Sequence, residues 1–175
     1  VNLTTITTHG DTSTASLAAM GGIGVFASAI RAALLEGEAD IAVHSFKDLP
    51  TGRPLGLAIG AVPARADPRD ALVARDGLTL HDLPQEASVG TGSPRRAAQL
   101  LAVRPDLTIV DIRGNVDTRL GRVKGLGRYA KNGGKEDLDA VVLAASGLAR
   151  LGHSGAVTEF LDPSVVLPAP AQGAL

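Results

Sequence analysis

The sequence predicts an α/β fold, with mainly parallel sheets and helices on both faces, and three observations predict it. Hydrophobic residues fill 45% of the 175 positions, yet only three Phe and one Tyr are aromatic, so the core is built from Ala, Val, Leu and Ile, as in strands buried between helices. Short apolar runs alternate with segments of helical periodicity, the pattern of βαβ units. Polar and charged residues collect just after those runs, at the edge where open parallel sheets bind ligands.

In chain order, Val25, Phe26, Ala29, Ile30, Ala33 and Leu34 recur at helical spacing and predict an amphipathic helix over 24–36, stopped by Gly37. A short buried strand is expected over 40–44, with Ser45, Phe46, Lys47 and Asp48 leaving its carboxyl end. A second is expected over 57–62, ended by Pro63. Turn chemistry and charge at 63–70 predict a hinge, which divides the chain into a first domain over 1–66 and a second over 67–164. Within the second, strands are expected at 71–74, 87–90, 107–112 and 140–144, and helices at 94–103, 116–123 and 147–151. The Gly- and Lys-rich stretch 124–135 reads as an exposed mobile loop, and 165–175 as a strand entering a Pro/Gly turn on its way back to the first domain.

Composition excludes several classes of function. There is no Cys, hence no disulfide, thiolate metal site or thiol nucleophile among these residues. His9, His44, His81 and His153 lack ligand spacing, so no metal is expected. No apolar run approaches the roughly 20 residues of a membrane span, and no leader is evident, so the expected location is the cytoplasm. The formal net charge of −1 hides an asymmetry: residues 95–150 carry eleven Lys/Arg against six Asp/Glu, a local +5. Such a segment is either an ordinary solvated helix face or a site for an anion. Nucleic acid is not expected, because Tyr129 is the one aromatic there on which a base could stack.

The basic residues fall at strand ends. Thr91, Ser93, Arg95 and Arg96 follow one expected strand, Arg113 and Asn115 another, and Ser146 and Arg150 a third. Ser93 is a good helix N-cap and Pro94 a good first helical residue, while Gly90 and Gly92 allow close backbone approach. Two arginines at a helix amino terminus oppose the helix dipole, and an anion there would offset that cost; the alternative is pairing with nearby Asp. Arg113, Gly114 and Asn115, with Arg119, repeat the arrangement. Five guanidiniums on one edge suit a ligand with several carboxylates, each able to take a bidentate fork. Asp48 before Leu49-Pro50 is either a turn former or a functional carboxylate.

Several of these segments together resemble porphobilinogen deaminases. His44-Ser45-Phe46-Lys47-Asp48-Leu49-Pro50 is similar to the signature around that family's catalytic aspartate. Gly90-Thr91-Gly92-Ser93-Pro94-Arg95-Arg96, Arg113-Gly114-Asn115-Val116 with Arg119, Ala145-Ser146-Gly147-Leu148 with Arg150, and Pro168 through Gln172-Gly173-Ala174 are similar to its later motifs, in order and in register. Asp67-Pro68-Arg69-Asp70-Ala71 resembles its interdomain crossing.

The resemblance implies two domains like those of type II periplasmic binding proteins, with the active cleft between them. It also implies a third domain whose Cys holds a dipyrromethane cofactor, and a first strand, neither present here; 1–8 would be the second strand. Ile23 stands where many members carry a lysine of the loop over the cleft. The implied activity is hydroxymethylbilane synthase, which condenses four porphobilinogen molecules with release of ammonia. The implied catalytic residue is Asp48. The implied cofactor-binding residues are Ser45, Lys47, Thr91, Ser93, Arg95, Arg96, Arg113, Asn115 and Arg119, and the substrate-binding ones Arg150, Ser146 and Gln172. The complete protein would be a monomer, and this chain by itself inactive. The competing reading is a non-catalytic module of the same architecture that binds an organic acid.

Overall fold

The computed structural model describes residues 1–6, 27–52 and 54–175. The chain divides into two units, one of Val1–Arg65 with Ala174–Leu175, the other of Ala66–Gly173.

In the first unit, α1 (Ser28–Leu35) buries Ala33 and stops where predicted. Gly37 takes φ +76, a left-handed conformation that costs glycine little, and Glu38 N–H then reaches back to the Ala33 carbonyl at 2.9 Å. The two strands expected over 40–44 and 57–62 do not form. Ile41 and Val43 are 82% and 79% exposed and Ile59 is 62% exposed. An apolar run becomes a strand only when a neighbouring chain takes its backbone hydrogen bonds, and none of the described residues of this unit does so. Residues 1–6 likewise form no strand with any of the described residues; His9 and Ile23 lie outside the described residues.

The second unit is a five-stranded sheet. Its strands are β1 (Asp70–Ala74), β2 (Ser88–Gly90), β3 (Thr108–Val110), β4 (Ala140–Ala144) and β5 (Glu159–Phe160), in spatial order β3-β2-β4-β1-β5. Four of the five point the same way, since β2 pairs parallel with both β3 and β4. Only β1 is reversed, antiparallel to β4 and β5. Helix α2 (Pro94–Val103) follows β2, α3 (Val116–Leu120) follows β3, and α4 (Ala145–Arg150) continues directly from β4.

Period-2 alternation divides the core between the two faces. Leu72, Ala74, Ala140 and Val142 meet Leu100 of α2 on one face. Ala71, Val73, Val141 and Leu143 meet Leu120 of α3 and Leu148 of α4 on the other. Helices therefore cover both faces, which is why β1 and most of β4 are buried throughout.

Three expectations are corrected in detail. Helix α3 ends at Leu120 rather than 123, because the chain turns at Gly121, where a Cβ would lie 2.6 Å from that of Ala130. The stretch after it is folded back, not an open loop. Val123 bridges Leu138, Tyr129 packs edge-on to His153 at 5.0 Å, and Leu126 joins the second core cluster. In place of a strand over 165–175 there are turns, and residues 165–173 belong to the second unit with Val166 and Gln172 buried. A Pro at 168 and another at 170 remove the N–H groups a ladder would need.

Candidate polyanion site at the carboxyl edge of the sheet

The turn after β2 is held by short-range bonds. Thr91 N–H reaches Val110 at 3.0 Å, Ser93 N–H reaches the Thr91 hydroxyl at 3.2 Å, and the Ser93 hydroxyl accepts from Arg96 N–H at 3.5 Å as N-cap of α2. Gly92 is required: a Cβ there would lie 2.6 Å from the Ile112 carbonyl oxygen. Asn115 caps α3 in the same way, accepting from Thr118 N–H at 2.8 Å. Both caps fix where the following arginines leave the backbone.

Arg95 and Arg96 converge on one carboxylate that the sequence reading did not single out for the site. Asp70 is fully buried at the start of β1. Arg96 donates to its Oδ1 through Nε and Nη2, at 3.0 and 2.7 Å, and through Nη1 to the Val142 carbonyl at 3.1 Å. Arg95 donates to Oδ2 at 2.7 Å and also to the Leu167 carbonyl. Burial pushes the Asp70 carboxyl up, but the hydrogen bonds and charge of Arg96, with Arg95 and Gln172, outweigh it, and the group is held below the ordinary carboxylate range.

Gln172 is buried, and its amide donates to Asp70 Oδ1 at 2.8 Å and to the Pro68 carbonyl at 2.7 Å. Its observed partners are thus protein groups. Arg150 is exposed and donates to the carbonyl of the next residue, Gly173, at 3.5 Å. Ser146 is buried in α4.

Arg113 and Arg119 are different. Both are half-buried, and among the described residues neither is in a salt bridge. Arg119 donates Nε to the Gly114 carbonyl at 2.8 Å. Burial lowers its guanidinium below the usual value, and the like charges of Arg96 and Arg113 lower it further, with Asp111 opposing. One buried carboxylate therefore serves Arg95 and Arg96, while Arg119 has the like charges of Arg96 and Arg113 near it and Asp111 acting against them. A cluster of half-buried cations is a candidate site for an anion.

The remaining predicted residues lie in the first unit. Phe46–Asp48 forms one 3-10 turn, closed by Asp48 N–H to the Ser45 carbonyl at 3.0 Å and fastened by Phe46 N–H to the Ala174 carbonyl at 3.1 Å. Ser45 and Lys47 are half-buried and Asp48 is exposed. His44 Nδ1 lies 2.9 Å from the Ser45 carbonyl.

A family model described as "Porphobilinogen deaminase, dipyromethane cofactor binding domain" matches residues 1–175. The chain belongs to the porphobilinogen deaminase family. Relatives named porphobilinogen deaminase include those of Micrococcus luteus, 62% identical over 99% of this chain, and Leifsonia xyli subsp. xyli, 61% identical over all of it. A third, from Thermobifida fusca, is 56% identical, again over the whole chain. These alignments take in 48%, 50% and 52% of the relatives, so the chain spans about half the length of the porphobilinogen deaminases it matches. The family model and these relatives do not support the competing reading of a non-catalytic organic-acid module. Among the described residues, no helix is long and apolar enough to cross a membrane.

Proposed function

We propose that this chain supplies the polyanion-binding and catalytic parts of a hydroxymethylbilane synthase that joins four porphobilinogen molecules with release of ammonia. The observation that carries the reading is the gathering of half-buried Arg113 and Arg119 near Arg96, with no salt bridge to either among the described residues. Each porphobilinogen unit bears an acetate and a propionate, so a growing chain is a polyanion of the kind this edge is charged to hold.

The residues fit a dipyrromethane, whose four carboxylates need several guanidiniums at once. Arg113 and Arg119 would hold it, with Arg95, Arg96, Thr91, Ser93 and Asn115 around them. When bound, that group supplies the free α-carbon to which substrate is joined. Arg150, with Ser146 and Gln172 near it in sequence or bonding, would receive the incoming substrate.

Porphobilinogen loses ammonia from its aminomethyl carbon, and positive charge develops on its pyrrole nitrogen. Asp48 is the carboxylate that offsets this charge and accepts a proton. The same reading makes the complete protein a cytoplasmic monomer that works without nucleic acid.

The test is Arg119→Leu in the full-length protein, assayed for hydroxymethylbilane after oxidation to uroporphyrin. A loss of at least about 10-fold in kcat/KM is expected, since breaking a desolvated charged contact costs roughly 2–5 kcal/mol. Unchanged turnover, or no turnover by the unmodified protein, overturns the proposal.

A further inference from the structure

We infer that Asp70 is a positioning residue of the polyanion site, setting the fork geometry of Arg95 and Arg96 toward the ligand although it touches no ligand itself. The inference rests on the function proposed above. Its ground is the sharing of one fully buried carboxylate by two adjacent guanidiniums, with Oδ1 taken by Arg96 and Oδ2 by Arg95. The Gln172 amide fixes Oδ1 from a third direction. Arg96 is further tied to the Val142 carbonyl, so three of its donor bonds are spent on holding one orientation. Neutralising these arginines internally only weakens their attraction for an anion. The arrangement makes sense as orientation, because a bidentate match to a carboxylate depends on the plane of the fork as well as on its charge.

Charge and orientation make opposite forecasts for Asp70→Asn. Removing a negative charge beside an anion site lowers the KM for porphobilinogen if Asp70 acts through charge. Releasing two guanidiniums from their fixed planes raises it if Asp70 positions them. A merely structural role lowers the melting temperature and leaves KM where it was.

The experiment measures KM and kcat for porphobilinogen, together with the melting temperature, for Asp70→Asn and Asp70→Glu in the full-length protein, with Arg119→Leu alongside. Asp70→Asn is expected to raise KM about 10-fold, and Asp70→Glu, which restores a carboxylate one methylene out of place, to raise it about 3-fold. A KM for Asp70→Asn equal to or below the unmodified value overturns the inference. Should Asp70→Asn fail to fold, Asp70→Glu decides alone: an unchanged KM in a folded Asp70→Glu protein overturns it equally. If Arg119→Leu also leaves kcat/KM unchanged, the proposed function has failed. If Arg119→Leu lowers kcat/KM while the Asp70 variants keep the unmodified KM, only the positioning role has.

Discussion

Arg96 and Asp70 form a buried ion pair 2.7 Å apart, with 7% and 0% of their side chains exposed. Removing Arg96 strips the buried Asp70 carboxylate of two charge-assisted hydrogen bonds and leaves it Arg95 and Gln172, a loss within the range of about 3–5 kcal/mol typical of breaking a buried pair. Arg96→Leu should therefore destabilise the chain by about that amount in a denaturant titration. A change below about 1 kcal/mol, the usual value for an exposed pair, would show that Asp70 is solvated in solution.

Arg150 provides the contrast. It is exposed and, among the described residues, holds only a long bond to the Gly173 carbonyl at 3.5 Å. Arg150→Leu should shift stability by less than about 0.5 kcal/mol, as for surface changes generally, yet raise the KM for porphobilinogen in the full-length protein. A melting temperature that drops as far as that of Arg96→Leu contradicts the assignment of Arg150 to substrate.

Acid stability follows from two carboxylates. Asp139 lies just before β4, where Arg75 and Lys124 reach it at 2.9 and 2.8 Å and the Ser88 N–H and hydroxyl at 2.9 and 2.8 Å. Burial pushes its carboxyl up, but these partners hold it well below the ordinary range, and Asp70 is lowered as well. A group depressed in the folded state contributes stability in full above its unfolded pKa of about 3.9, and the contribution is lost as pH falls toward the folded value. Stability should stay level from pH 7 to about 5 and decline steeply below about 4. Asp139→Asn should flatten that decline; an acid limb identical to the unmodified chain's would sink the assignment.

Gly92 admits no side chain, with a Cβ placed 2.6 Å from the Ile112 carbonyl oxygen. Gly92→Ala should cost about 1–3 kcal/mol as overpacking does. In the full-length protein it should also raise KM by displacing the turn that carries Ser93, Arg95 and Arg96. A KM unchanged in the face of lost stability would separate the turn from binding.

Asp48 is exposed, so Asp48→Asn should leave the melting temperature unchanged. In the full-length protein, catalysis should fall by roughly 10²–10⁴-fold, the usual loss on removing a proton-transferring group. Near-normal turnover returns Asp48 to the role of turn former.

The sequence by itself determined the local structure of the second unit. Ser93 and Pro94 announced the start of α2, which runs over Pro94–Val103 as predicted, because caps and helical periodicity act within a few residues. The cores of the four strands predicted in this unit are found in β1 to β4, since short apolar runs are legible one at a time, whether fully buried as in β1 or partly exposed as in β3. The two-residue β5 carried no periodicity to read, and the apolar runs at 40–44 and 57–62 gave a strand signal that no described neighbour completes.

Only the tertiary structure decided which charges meet. Asp70 read as part of a hinge, far in sequence from the arginines. Because β1 runs against its neighbours, its first residue pairs in register with Ala144, the last of β4, and so arrives at the carboxyl edge of the parallel strands. One reversed strand thereby places a carboxylate among guanidiniums that follow β2, β3 and β4, and pairing across a sheet is a long-range contact that no local pattern encodes.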